Sequence, residues 1–186
     1  KVDNIVADEK NLFVDLEHQV MELWEQEKYY EKLVEKNKGK KMFRFLDGPI
    51  TANNPMGIHH AWGRSTKDIF IRYKSMRGYD CRRQNGFDSQ GLWVEVEVEK
   101  QLGFKTKKDI ENYGMDKFTR QCVERVKHYS GIITEQSKRL GQWMDWENSY
   151  YTNTDLNIGG IWHFLKECDN HGWIQREYKP MPWCPR

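Results

Sequence analysis

The residues best able to do chemistry lie in one stretch, Leu46–Arg64, which reads LDGPITANNPMGIHHAWGR. An apolar run ends there, a Gly/Pro-rich loop turns, and His59 and His60 stand where a helix should begin. The first N–H groups of a helix lack partners within it, and the aligned peptide dipoles leave about half a positive charge at that end. Imidazoles there add compact donors without a fixed charge, so the combination suits a phosphate. Two other readings stand beside it: a zinc ligand pair, and a structural His at a helix start. Adjacent side chains on a helix do not face each other, which argues against a shared metal.

A second segment, Gly86-Phe87-Asp88-Ser89-Gln90-Gly91, puts an Asp in a Gly-flanked loop. After a parallel strand, that is the edge where α/β sheets bind ligands. A carboxylate there matches an ammonium group. The alternative is an Asx-turn residue with no ligand at all.

The elements that would carry these groups are legible as periodicities. Leu12, Leu16, Val20, Leu23 and Trp24 predict an amphipathic helix over residues 10–36. Met42–Leu46 predicts a strand ending at Asp47-Gly48-Pro49, and 50–57 a loop. A helix from about His59, with Trp62, Ile69, Phe70 and Tyr73 along one side, ends near Gly78. A strand over Tyr79–Gln84 completes a βαβ unit, so the fold class is α/β. Leu92–Lys100 alternates Val with Glu, which fits a strand by period, while Glu and Lys fit a helix. Further helices are expected over a part of Lys105–Tyr113, over Met115–Leu140 and from Thr154 or Asp155 to Asp169. Trp143–Trp146 reads as an aromatic turn, Tyr150–Thr152 as short and extended, and Trp173–Tyr178 as a last strand.

Composition bounds the partners. Lys and Arg total 30 against 28 Asp and Glu over 186 residues, so the net charge is +2. That near balance excludes binding nucleic acid by charge alone. Aromatics at 13%, with eight Trp, exclude a disordered chain. No apolar run reaches the roughly 18–20 residues of a membrane span. Four Cys without close spacing imply a reducing compartment, and Cys81, Cys122 and Cys168 read as small core residues. The start at Lys1 and the end at Trp183-Cys184-Pro185-Arg186 read as a piece of something longer.

Taken together the segments resemble the N-terminal part of a class I aminoacyl-tRNA synthetase of the isoleucyl, valyl and leucyl group. Four ordered blocks carry the resemblance: Asp47-Gly48-Pro49 with Ala52-Asn53; Gly57-Ile58-His59-His60-Ala61; Arg72–Tyr79 running into Gly86-Phe87-Asp88, Gly91-Leu92 and Glu95; and GQWMDWENSY from Gly141, then Thr152, with Pro182–Arg186. Ala52-Asn53 and the Asp88 loop look most like isoleucyl enzymes, with valyl and leucyl enzymes as alternatives. The resemblance implies a Rossmann-like parallel-sheet domain over 42–186, ending at the root of an editing insertion, and a helical extension over 1–41. It implies activation of isoleucine by ATP with Mg2+, then transfer to tRNA, in a cytoplasmic enzyme that is monomeric when intact and touches no membrane. By position His60, with His59, would be catalytic and Gly57, His59 and His60 would bind ATP. Gly48, Pro49, Asp88 and Gln90 would bind the amino acid, Gln90 standing where isoleucyl enzymes often have His. Cys184 would be half of a zinc site completed only in the intact protein.

One departure stands out. The usual signature runs His-x-Gly-His, whereas here Gly57 comes first and His59 third. The second signature, Lys-Met-Ser-Lys-Ser, is absent from the 186 residues. The piece alone is therefore expected to be inactive. A truncated relative that binds nucleotide or tRNA without catalysis is the competing function. A plain nucleotidyltransferase would lack the Gly-Phe-Asp-x-x-Gly-Leu loop and the Trp-Met-Asp-Trp turn.

Overall fold

The computed structural model describes residues 12–183. The N-terminal amphipathic pattern forms two helices, α1 (Leu12–Glu27) and α2 (Tyr29–Asn37), where the sequence predicts one. The break is Lys28, whose backbone is left-handed at φ 50° and ψ 47°. That conformation costs a non-glycine residue about 1–2 kcal/mol. The turn lets Trp24 of α1 and Tyr30 of α2 both reach Trp143, at ring separations of 5.0 and 6.2 Å.

The next elements are β1 (Met42–Phe43), β2 (Ile50–Thr51), α3 (Ile58–Met76), β3 (Asp80–Cys81) and β4 (Gln84–Asp88). β1 pairs with β3 and β2 with β4, both parallel, with α3 as the crossover. The expected βαβ unit is present, but its strands fall elsewhere. Only two residues of Met42–Leu46 are paired, and pairing resumes at Ile50, in what the sequence reads as loop. The register slips by one residue between the two paired stretches. Pro49, just before Ile50, has no N–H to give a ladder.

Residues 86–88, also expected to be loop, are strand. Gly86 is a packing glycine there, because a Cβ would fall inside the Tyr150 ring. The remaining elements are α4 (Leu92–Leu102), α5 (Lys107–Tyr113), α6 (Met115–Arg139), β5 (Asp145–Tyr151) and α7 (Asp155–Asn170). β5 replaces the expected aromatic turn and completes a parallel sheet of order β2-β4-β5. Trp173–Tyr178 is exposed and irregular, since no strand among the described residues pairs with it.

The ambiguous Val/Glu run is helix α4, and its valines serve two clusters. Val94 packs with Ile50, Ala52, Phe87, Val126 and Ile133, and Val98 with Ile110 and Phe118. α6 supplies Phe118, Val126 and Ile133 from one stripe. The thiols of Cys81, Cys122 and Cys168 are free and only half-buried; Cys122 packs against both clusters, as a core residue is expected to, and Cys81 and Cys168 belong to neither. Among the described residues no helix is long and apolar enough to cross a membrane.

Candidate functional site

Three strand ends meet at one edge of the sheet. β2 ends at Thr51 and β4 at Asp88, while Thr152 directly follows β5. The Asp88 carboxylate accepts from the Thr51 hydroxyl at 3.1 Å on one side and the Thr152 hydroxyl at 3.2 Å on the other. It also accepts the Gln90 N–H at 3.2 Å, so the Asx-turn reading is geometrically met as well. An ionised carboxylate offers about four lone-pair sites, and three are taken. One position is left for a further donor, and an ammonium group is chemically suited to it. The sequence reading assigns neither threonine a role at the site, although Thr152 belongs to one of the matching blocks, because nothing but strand pairing puts them beside Asp88.

The loop between β2 and α3 begins against the same strand. The Ala52 N–H donates to the Asp88 carbonyl at 3.3 Å. Helix α6 then pins the loop: Arg125 donates to the Asn53 carbonyl at 2.9 Å and the Asn54 side-chain oxygen at 2.8 Å, and Gln136 accepts the Met56 N–H at 2.7 Å. The His pair thus stands on a helix start fixed from two directions.

At that start, Gly57 is the N-cap of α3. Its N–H donates to His60 Nδ1 at 3.1 Å. That bond makes Nδ1 the acceptor, so the neutral ring carries its proton on Nε2. Burial, then the neighbouring His59, then Arg64 push the His60 pKa below the usual imidazole value. At neutral pH the ring is an uncharged donor. His59 and His60 do not diverge as adjacent helical residues were expected to. Their ring centres lie 3.8 Å apart. His59 can fold back because residue 57 has no side chain: a Cβ there would lie 2.9 Å from His59 Cε1.

The other predicted residues sit at the margins. Gly48 and Pro49 are exposed just before β2, with open space around Gly48. Gln90 is exposed one turn past Asp88. Between them Asp47 is buried, its carboxylate held by Lys67 at 2.6 Å and its carbonyl by the Tyr150 hydroxyl at 3.2 Å. Burial, with the Asp47 and Asp88 carboxylates nearby, raises the Tyr150 pKa. Cys184 lies outside the described residues. Among the described residues, no three His, Cys, Asp or Glu gather to hold a metal.

A parallel sheet with an imidazole pair on its crossover helix and a carboxylate on the next strand end is the frame of a nucleotide-binding α/β domain. The chain belongs to the class I tRNA synthetases of the I, L, M and V group, whose family model matches residues 19–186. It is 42% identical over 174 residues to the isoleucine–tRNA ligase of Thermus thermophilus, covering 94% of this chain and 17% of that protein. It is 40% identical over 171 residues to the one of Streptomyces avermitilis, covering 92% and 16%. With the Pyrococcus horikoshii enzyme it shares 39% over 172 residues, again 92% and 16%. The chain therefore spans about a sixth of the length of these relatives. In fold it is similar to the Agrobacterium radiobacter K84 agnB2 LeuRS, solved as a ternary complex with tRNA and LeuAMS. There the TM-score is 0.61 at 16% identity, over 84% of this chain and 17% of that one.

Proposed function

We propose that the intact protein is an isoleucine–tRNA ligase. Residues 42–186 are then the first half of its nucleotide-binding domain, up to the root of an editing insertion, and residues 1–41 are a helical extension. Support comes from His60 and Asp88 standing at one edge of a parallel sheet, in a chain sharing 39–42% identity with isoleucine–tRNA ligases.

Asp88 holds the substrate ammonium, with Thr51 and Thr152 fixing its carboxylate. Gly48, Pro49 and Gln90 border the amino acid. The isoleucine carboxylate attacks the α-phosphorus of ATP, which enters with Mg2+, and pyrophosphate leaves. His60 donates its Nε2–H to the phosphate as charge develops, and His59 and Gly57 complete that end of the ATP site. A ribose hydroxyl at the tRNA 3′ end then attacks the adenylate carbonyl and AMP leaves. Such a reaction gains from positioning and charge stabilisation, which preset donors supply. The enzyme works as a cytoplasmic monomer. A zinc half-site at Cys184 belongs to the intact protein only.

The test is ATP–pyrophosphate exchange on the intact protein with isoleucine, valine, leucine and methionine in turn. Exchange is expected to be highest with isoleucine, and His60→Ala to lower it about 10²–10³-fold. A maximum with valine or leucine would move the substrate. No exchange with any of the four would leave a non-catalytic relative.

A further inference from the structure

Helix α3 joins the two halves of the site, and the way it is attached is unusual. Its buried residues are Arg64, Asp68, Ile71 and Ser75. Three of the four are polar, so the helix is held by directed bonds more than by packing. Asp68 accepts the Trp143 N–H at 3.2 Å and lies 3.7 Å from Arg83, which donates to the Ser75 hydroxyl at 2.8 Å. These contacts hold the middle and far end of α3. Arg64 alone among the four serves the end near the His pair.

Arg64 is one helical turn past His60, on the same face, and only 4% exposed. Its NH1 donates at 3.1 Å to the Asn85 side-chain oxygen and at 3.1 Å to that of Gln142. Asn85 is fully buried in β4, three residues before Asp88. It passes the connection on by donating to the Ser149 hydroxyl of β5 at 3.1 Å. A single chain of bonds thus runs from the helix of the histidines through the strand of the aspartate to the third strand.

This chain is costly to keep. No carboxylate lies within ion-pair distance of Arg64 among the described residues, and its NH2 has no hydrogen-bond partner there. Burial lowers its pKa, with Asp47 only partly opposing. An unpaired buried cation destabilises a fold, and an apolar side chain of like volume usually serves stability better. What an apolar side chain lacks is direction. Two bonds to fixed oxygens set both the rotation of α3 and its height along β4.

We propose that Arg64 is a positioning residue for adenylate formation: through Asn85 it holds the His60 imidazole and the Asp88 carboxylate in one fixed spacing. The proposal rests on the reading of this site as an isoleucine-activating centre. Displacements of about 1 Å remote from a reaction can cost about 10²-fold in rate. Arg64 acts through this spacing; its charge also helps lower the His60 pKa, an effect that Arg64→Lys retains and Arg64→Met removes.

The experiment uses the intact protein and its ATP–pyrophosphate exchange. Arg64→Met keeps volume and removes both charge and bonds. Its kcat is expected to fall about 10–100-fold, with the KM values for ATP and isoleucine within about threefold and the melting temperature unchanged or raised. Asn85→Ser should lower kcat in the same way, and the double variant should be no worse than the single ones, because both cut one chain of bonds. Arg64→Lys keeps the charge without the fork and should recover little. A kcat near wild type in folded Arg64→Met overturns the proposal. So does a loss that tracks a fall in melting temperature across all the variants, which would make Arg64 merely structural. Should Arg64→Met fail to fold, Asn85→Ser and Arg64→Lys decide by the same split of kcat from KM. Wild-type protein without exchange sinks the isoleucine-activating reading itself, and the positioning role falls with it.

Discussion

Helices α3 and α6 are the longest among the described residues, and they differ in what they mostly bury. α6 turns Phe118, Val126 and Ile133 inward beside the small Ser130 and Ser137, and its charges outward except Arg125, which holds the β2–α3 loop. α3 turns Arg64, Asp68 and Ser75 inward around one apolar residue, Ile71, and leaves Trp62, Ile69, Phe70, Tyr73 and Met76 in the open. Trp62 is 76% exposed and Met76 75%. α6 is held by burial, which is strong and tolerant of small shifts. α3 is held by hydrogen bonds and ion pairs, which are weaker in net energy but directional. The lesson is a division of labour. The helix that scaffolds is fastened by area, and the helix that carries the His pair is fastened by angle.

The contrast is easiest to break on the α6 side. Phe118→Ala should cost about 3–5 kcal/mol of unfolding free energy, read from urea titration, because Phe118 is buried with Val98 and Ile110 and lies 6.4 Å from the Phe104 ring. A loss under about 1 kcal/mol would mean that this cluster does not carry the scaffold.

The next effect concerns the start of α3. Gly57→Ala puts a methyl where His59 now folds back. In the intact protein it should lower ATP–pyrophosphate exchange, and do so far less in a His59→Gly background. The coupling expected between touching groups is about 0.5–3 kcal/mol. Additive losses would show that the two positions act independently.

A smaller effect follows from acid. The His60 pKa is lowered in the folded state, first by burial. The unfolded chain therefore takes up a proton below about pH 6.5 that the native state refuses. Stability is fully present above that value and declines as pH falls through the lowered one. The melting temperature of His60→Asn should fall less steeply below pH 6.5 than that of the wild type. Parallel slopes would remove His60 as the source.

The smallest effect lies on the outer face of α3. Trp62→Gln and Phe70→Gln in the isolated chain should change unfolding free energy by no more than about 0.5 kcal/mol. Both should reduce self-association and binding of a hydrophobic dye, because Trp62 and Phe70 are exposed together with Ile69, Tyr73 and Met76 on one helix. A large stability loss would mean that the face is covered after all.

The reading of particular residues shows where sequence sufficed. The α6 stripe, the Gly141 end of that helix and the Thr154 N-cap of α7 were legible, since each depends on neighbours within a few positions. β4 was not. Gly86 looks like a turn residue locally, and only the Tyr150 ring, 64 positions away, shows that it is a strand glycine. The candidate site divides the same way. His59, His60 and Asp88 stood out by type and by neighbouring glycines. Thr51, Thr152, Arg64 and Asn85 did not, because a Thr at a strand end and an Arg on a helix are ordinary until pairing brings them to one carboxylate or one buried amide.

The sequence by itself determined the α/β class and the helix start that carries the imidazoles, because these rest on periodicity and on local spacing, and its four ordered blocks carry the resemblance to the family. Only the tertiary structure decided which face of α3 is inside, that the two imidazoles lie together over Gly57, and that Asp88 is clasped by a threonine from each neighbouring strand. Those outcomes depend on contacts between residues far apart in the chain. Such contacts are fixed by strand register and helix rotation, which no local pattern specifies.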